Sequence, residues 1–143
     1  MKQQILYISL AESIPKRIGT KKDWPASFSN AVLNDLLRKK MSFYGVIVTD
    51  SLSMQGAQKA AKGNDEGAVF YNALMAGNDL LMDSTSLQCG KGQWNGVNKF
   101  LINKADEDKD VLLRLKDAAR RVLSLRLKIR NKSVKQQVYH NLS

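Results

Sequence analysis

The sequence predicts an α/β fold built on parallel strands. Two observations lead there. Short β-branched, apolar runs alternate with helical stretches along the 143 residues, the order that generates parallel sheets with right-handed crossovers. The clearest run, Gly45-Val46-Ile47-Val48-Thr49-Asp50, is apolar at every central position, as suits a strand covered on both faces.

Taken in order, Ile5-Leu6-Tyr7-Ile8-Ser9-Leu10 is β-branched and aromatic between polar residues and reads as the first buried strand. Residues 14–26, with Pro15, Gly19 and Pro25, form a loop. A helix starts near Ser27 or Ser29, either of which can cap it, and places Leu33, Leu36, Leu37 and Met41 on one face. The second strand ends at Asp50. Residues 53–61 are helical by Ala and Gln content, and Gly63-Asn64 interrupt them. A further helix over 65–76 opens with Asp65-Glu66 at its positive end and stops at Gly77. Leu80-Leu81-Met82 is the third strand. A Ser/Gly/Gln loop spans 84–93, a helix covers 97–104, and Asp106-Glu107-Asp108 turn the chain into a last helix. In that helix Val111, Leu115, Ala118, Val122, Leu125 and Ile129 recur at steps of four and three, an apolar stripe opposite a basic face.

With 43% hydrophobic and 25% charged residues the chain is globular and not disordered. It is long enough for one domain and too short for a complete (β/α)₈ barrel, which takes about 250 residues. The formal charge of +10 is concentrated at the end: residues 109–143 hold ten of the 23 basic side chains against Asp110 and Asp117 alone. Cys89 stands alone, which excludes a disulfide framework or cysteine metal cluster within the chain, and nothing implies a metal or cofactor. The apolar run at residues 5–10 is cut off by Glu12, Lys16 and Arg17 before it forms a signal-peptide core. No stretch reaches the eighteen apolar residues of a membrane span. As written, the chain is expected to be soluble and not exported.

Chemistry in such folds sits at the C-terminal ends of the strands. Three acids follow strands: Glu12, Asp50 and Asp83. Pattern alone leaves Asp50 either a turn or cap residue or a catalytic carboxylate.

Residues Gly45-Val46-Ile47-Val48-Thr49-Asp50-Ser51-Leu52-Ser53-Met54 resemble the signature of glycoside hydrolase family three, in which the Asp is the nucleophile. Three further segments are similar to the family in the correct order. Pro25-Ala26-Ser27-Phe28-Ser29, with Val32-Leu33 and Leu36-Leu37-Arg38, resembles the approach to the sixth barrel helix. Ala76-Gly77-Asn78-Asp79-Leu80-Leu81 resembles the run into the eighth strand. Ala118-Ala119-Arg120-Arg121-Val122-Leu123, with Leu127-Lys128, resembles the closing helix. Four collinear motifs over residues 5–130 are far more specific than one.

The resemblance implies the C-terminal portion of a TIM (β/α)₈ barrel, strands six to eight with their helices, in residues 1–131, followed by a basic tail at 132–143. Asp-x-Leu-x-Met resembles the β-N-acetylhexosaminidase branch, which removes terminal N-acetylglucosamine from cell-wall or chitin-type oligosaccharides; Ser51 departs from the Asp or Ala frequent there. Asp50 would be the nucleophile. Met54 would line the sugar pocket, or else pack as a core residue at a helix start.

A retaining glycosidase also needs a general acid/base. In this branch that function belongs to an Asp-His pair after the fifth strand, which this sequence does not contain, and its one histidine, His140, lies near the C-terminus. The expectation is therefore a hydrolase fragment, completed by an upstream half of the barrel or by self-association. One alternative is a non-catalytic binding or assembly module using the basic helix at 109–135; the other is an inactive remnant. Against nucleic-acid binding stand the lack of an aromatic stacking set and an apolar stripe that implies packing on a core.

Overall fold

A computed structural model describes residues 5–8, 25–60, 66–83 and 92–140. Strands β1 (Ile5–Ile8), β2 (Val46–Ser51) and β3 (Leu80–Met82) form a sheet in the order β1-β2-β3, and both pairings are parallel. A 3₁₀ turn (Ala26–Phe28) and a π-helix (Ala31–Lys40) lie between β1 and β2. Helices α1 (Gln55–Ala60) and α2 (Glu66–Ala76) connect β2 to β3, and α3 (Gly92–Glu107) and α4 (Lys109–His140) follow. The predicted α/β alternation and parallel strands are present.

Strand β2 is central. Val46, Ile47, Val48 and Thr49 are all buried, which accounts for the unbroken apolar run. Two apolar clusters flank the sheet. Ile47 packs with Ala26, Val32, Leu33, Leu37 and Ala76 beneath the π-helix. Leu52 packs with Phe28, Ala57, Val69, Phe70, Ala73 and Val97, joining the short helices to α3. On β3, Leu81 packs against this second cluster, whereas Leu80 and Met82 are 45% and 38% exposed. Alternation along a strand places those two on the opposite face from Leu81, so that face of β3 has no helix over it among the described residues.

The helix ends follow local chemistry. Ser29 is extended, and its hydroxyl accepts the Val32 N–H at 3.4 Å, one of the two caps anticipated. The Asp108 carboxylate accepts the Asp110 N–H at 2.8 Å and so starts α4. At the end of α2, Gly77 N–H bonds the Leu74 carbonyl and Asn78 N–H the Ala73 carbonyl. This is a Schellman closure, with Gly77 at φ +128° where a side chain would be strained.

Three expectations are corrected. Met41 is 62% exposed rather than on the buried face. Met41 lies one residue past the end of the π-helix at Lys40, where its N–H closes the last i→i−5 bond to the Leu36 carbonyl at 2.9 Å. The helix expected over 97–104 begins at Gly92, inside the expected loop. In the α4 stripe Val111 and Ala118 are buried but Ile129 is 54% exposed. The 32 residues of α4 extend about 48 Å, well beyond the 16-residue α3 it packs on. The same helix runs unbroken across residue 131 to His140. No helix of the described residues is long and apolar enough to cross a membrane. Glu12, Cys89 and most of the loops at 14–26 and 84–93 lie outside the described residues.

Candidate active site

Asp50 occupies the C-terminal end of the central strand and is half-buried. One of its carboxylate oxygens, Oδ1, accepts the N–H of Ser51 at 2.8 Å. Ser51 in turn shares a hydroxyl–hydroxyl hydrogen bond of 2.7 Å with Ser53. These contacts fix the strand-to-helix turn on which Asp50 sits. Met54 opens α1: the Ala57 and Gln58 amides both bond its carbonyl. Its side chain is 45% exposed, on the same turn as Asp50 and not packed in a core. Asp83 directly follows β3 and is half-buried, at the same end of the sheet. Among the described residues no group of His, Cys, Asp and Glu could hold a metal ion.

Among the described residues a dense polar cluster lies at the other end of the strands. Asp79 immediately precedes β3, and its side chain is fully buried. Its Oδ2 accepts from Arg38 at 2.5 Å and from the Ile47 N–H at 3.0 Å. Its Oδ1 accepts from Arg114 at 2.9 Å and Arg121 at 3.1 Å. Four donors match the roughly four acceptor sites of a carboxylate. Each guanidinium is tied down elsewhere. Arg38 donates to the Phe43 and Gly45 carbonyls at 2.9 and 2.6 Å. Arg114 donates to the carbonyls of Leu74 and Asn78, and Arg121 pairs with Asp117.

Burial draws the Arg38 guanidinium below its ordinary value, and Arg121 and Arg114 push the same way against the offsetting charge of Asp79. Asp117 is pushed up by burial, but its hydrogen bond to Arg120 and the charges of Arg121 and Arg114 outweigh this and hold it below the usual range. Asn78, fully buried, gives both amide protons to backbone carbonyls, those of Ser27 and Ala73. Asp79 thus ties the π-helix, β2, β3 and α4 together. Its acceptor positions are saturated, which marks it as structural, while Asp50 stands at the opposite, C-terminal end of the strands.

Comparison with known proteins agrees with the motif reading. The profile of the glycosyl hydrolase family 3 N-terminal domain matches residues 1–125. A beta-hexosaminidase from Psychromonas ingrahamii is 41% identical over 58 residues, covering 41% of this chain and 16% of that protein. The beta-N-acetylhexosaminidase structure from Beutenbergia cavernae superposes with a TM-score of 0.63 at 28% identity, over 83% of this chain and 32% of that one. The beta-glucoside phosphorylase BglX shares the fold, with a TM-score of 0.65 at 19% identity, over 91% of this chain and 23% of that one. The chain therefore spans about a third or less of the relatives it resembles. Its sequence, its α/β fold and these relatives agree: the chain belongs to glycosyl hydrolase family 3.

Proposed function

We propose that this chain is the nucleophile-bearing sector of a retaining β-N-acetylhexosaminidase acting on terminal N-acetylglucosamine. Residues 1–131 form strands six to eight of a (β/α)₈ barrel with their helices, and the general acid/base comes from outside these 143 residues. The observation that carries the reading is Asp50, at the C-terminal end of the central parallel strand with one carboxylate oxygen fixed by the Ser51 amide. The sector assignment draws support from β1 and β3, which are the outer strands of the sheet, and from Leu80 and Met82, exposed on a face without helices among the described residues. An apolar edge and face of this kind favour pairing with further strands.

In the reaction, a carboxylate oxygen of Asp50 attacks the anomeric carbon as the glycosidic C–O bond breaks, and the leaving oxygen takes a proton from the external acid. Water then hydrolyses the glycosyl ester and restores the carboxylate. Met54, exposed beside Asp50, lines the sugar site.

The test is hydrolysis of a fluorogenic N-acetylglucosaminide by the chain alone, by the chain mixed with the first five strands of a relative's barrel, and by the same mixture carrying Asp50→Ala. The expected outcome is activity in the unmutated mixture only. Activity of the isolated chain contradicts the external acid. Full activity of Asp50→Ala contradicts the nucleophile.

A further inference from the structure

We propose that Thr49 is a positioning residue for Asp50, acting through its hydroxyl at an irregularity between β2 and β3. The inference rests on Asp50 being the nucleophile. It starts from the register. Val48 aligns with Leu80 and Ser51 with Met82, so β2 takes three residue steps where β3 takes two. The extra residue falls at Thr49-Asp50. Such bulges sit next to active sites, where they re-aim a side chain, and they leave ladder groups without backbone partners.

Here the group concerned is the Met82 N–H. It donates to Thr49 Oγ1 at 2.9 Å, while the Met82 carbonyl accepts from the Leu52 N–H at 2.9 Å. Met82 is thus held on both sides of Asp50, by the Thr49 side chain of β2 before it and by the Leu52 amide just past β2 after it. Thr49 is fully buried and its bond to the Met82 N–H is part-buried, so an amide deprived of that acceptor loses the bond and must be paired again. The threonine hydroxyl therefore makes this bulge compatible with a closed ladder, and the bulge places the Asp50 carboxylate. Valine has the same branched shape, which strands favour, but no acceptor. Serine keeps the acceptor without the methyl group.

If the acceptor is lost, Met82 N–H must find another partner and the register at Asp50 slips. A misplacement of about 1 Å at a reacting group is enough to lower a rate about a hundredfold.

The experiment uses the full chain and nuclear magnetic resonance. The readouts are amide exchange at Met82 and the side-chain carboxyl ¹³C resonance of Asp50, followed through a pH titration. Expected are a protected Met82 amide in the unmodified protein, protection within about threefold of it in Thr49→Ser, and a loss of about tenfold or more in Thr49→Val. The Val48 amide corrects for any general loss of stability. The Asp50 resonance and titration curve move in Thr49→Val and stay in place in Thr49→Ser. They also stay in place in Leu37→Ala, which opens a cavity in the other apolar cluster.

An unprotected Met82 amide in the unmodified chain overturns the proposal. So does an equal displacement of the Asp50 resonance in the serine and valine variants, or in Leu37→Ala. Should Thr49→Val not fold, the unmodified chain and Thr49→Ser decide the matter on the same two signals. Neither readout depends on hydrolysis, so full activity of Asp50→Ala refutes the nucleophile assignment without touching this result.

Discussion

Replacing Asp79 by Asn removes one negative charge and little else. The side chain keeps its shape, and its oxygen can still accept the Ile47 N–H now bonded at 3.0 Å. What is lost is the charge facing Arg38, Arg114 and Arg121, whose side chains are only 10%, 14% and 19% exposed. Asp117, at 37% exposure, still pairs with Arg114 and Arg121, but it makes no ion pair with Arg38 and is shared with Arg120. Removing one partner of a buried ion pair costs about 3–5 kcal/mol. The retained backbone bond and Asp117 put the expected loss near the lower end, about 3 kcal/mol. Against a typical total of about 5–15 kcal/mol this is a large fraction. In urea, with a slope of about 1–3 kcal/mol per molar, the midpoint should fall by about 1–3 M. Arg114→Met should then cost less in the Asp79→Asn background than in the unmodified chain. An Asp79→Asn midpoint within about 0.3 M of the unmodified protein, at unchanged slope, would refute the argument that this cluster holds the elements together.

Three further outcomes are expected. Asp117 is held below its ordinary value in the folded chain, so its contribution is present above the unfolded aspartate value near about 3.9 and is lost as pH falls through the lower folded value. Asp117→Asn should therefore reduce stability at neutral pH and narrow the difference from the unmodified chain on acidification, as read by urea midpoints at about pH 7 and pH 3. In Gly67→Ala the new Cβ would lie 2.5, 2.8 and 2.9 Å from Phe100 Cγ, Cδ2 and Cβ. Forcing α2 from α3 should outweigh the helix-propensity gain of about 1 kcal/mol and lower the melting temperature; a raised melting temperature contradicts the packing. Leu33→Ala, at a site with no exposure, should cost about 2–5 kcal/mol in denaturant unfolding.

The sheet was legible because its signals are local. Val46, Ile47 and Val48 announce a strand buried on both faces, and Gly77 marks the end of α2 by a backbone geometry that glycine adopts without strain. The Ser29 cap and the Asp108 turn were legible for the same reason, since each hydroxyl or carboxylate bonds an amide two or three residues on. Asp50 was legible through its motif. The Asp79 cluster was not, although Arg38, Asp79 and Arg121 all stand inside the quoted motifs. Its partners are 41, 35 and 42 positions away, and no local period links them. The one available hint was an ionisable residue set between Gly77-Asn78 and an apolar strand, where a charge must be buried and therefore paired. The bulge at Thr49 was equally hidden, because its hydroxyl acts on an amide 33 residues away.

Two aspartates stand at opposite ends of one sheet, and under the proposed function their environments, more than their residue type, separate support from chemistry. Asp79 is anchored by three guanidiniums and an amide. Such a carboxylate cannot attack, because its lone pairs are engaged and its side chain is out of reach of solvent. Asp50, the proposed nucleophile, is half-buried instead, and a nucleophile needs a lone pair that can reach its substrate. The restraint therefore falls on the backbone: Thr49 and Leu52 hold Met82 on either side of it, and Ser51 holds one oxygen. The rigid end of the sheet then has a direct bearing on the end that carries Asp50. Arg38, Arg114 and Arg121 fix β3 through Asp79, and β3 is the strand against which Asp50 is registered. A slip of β3 permitted at Asp79 would be transmitted to Met82, three residues on, and from there to the bulge. The strength of the saturated carboxylate is thus a condition for the register that places Asp50.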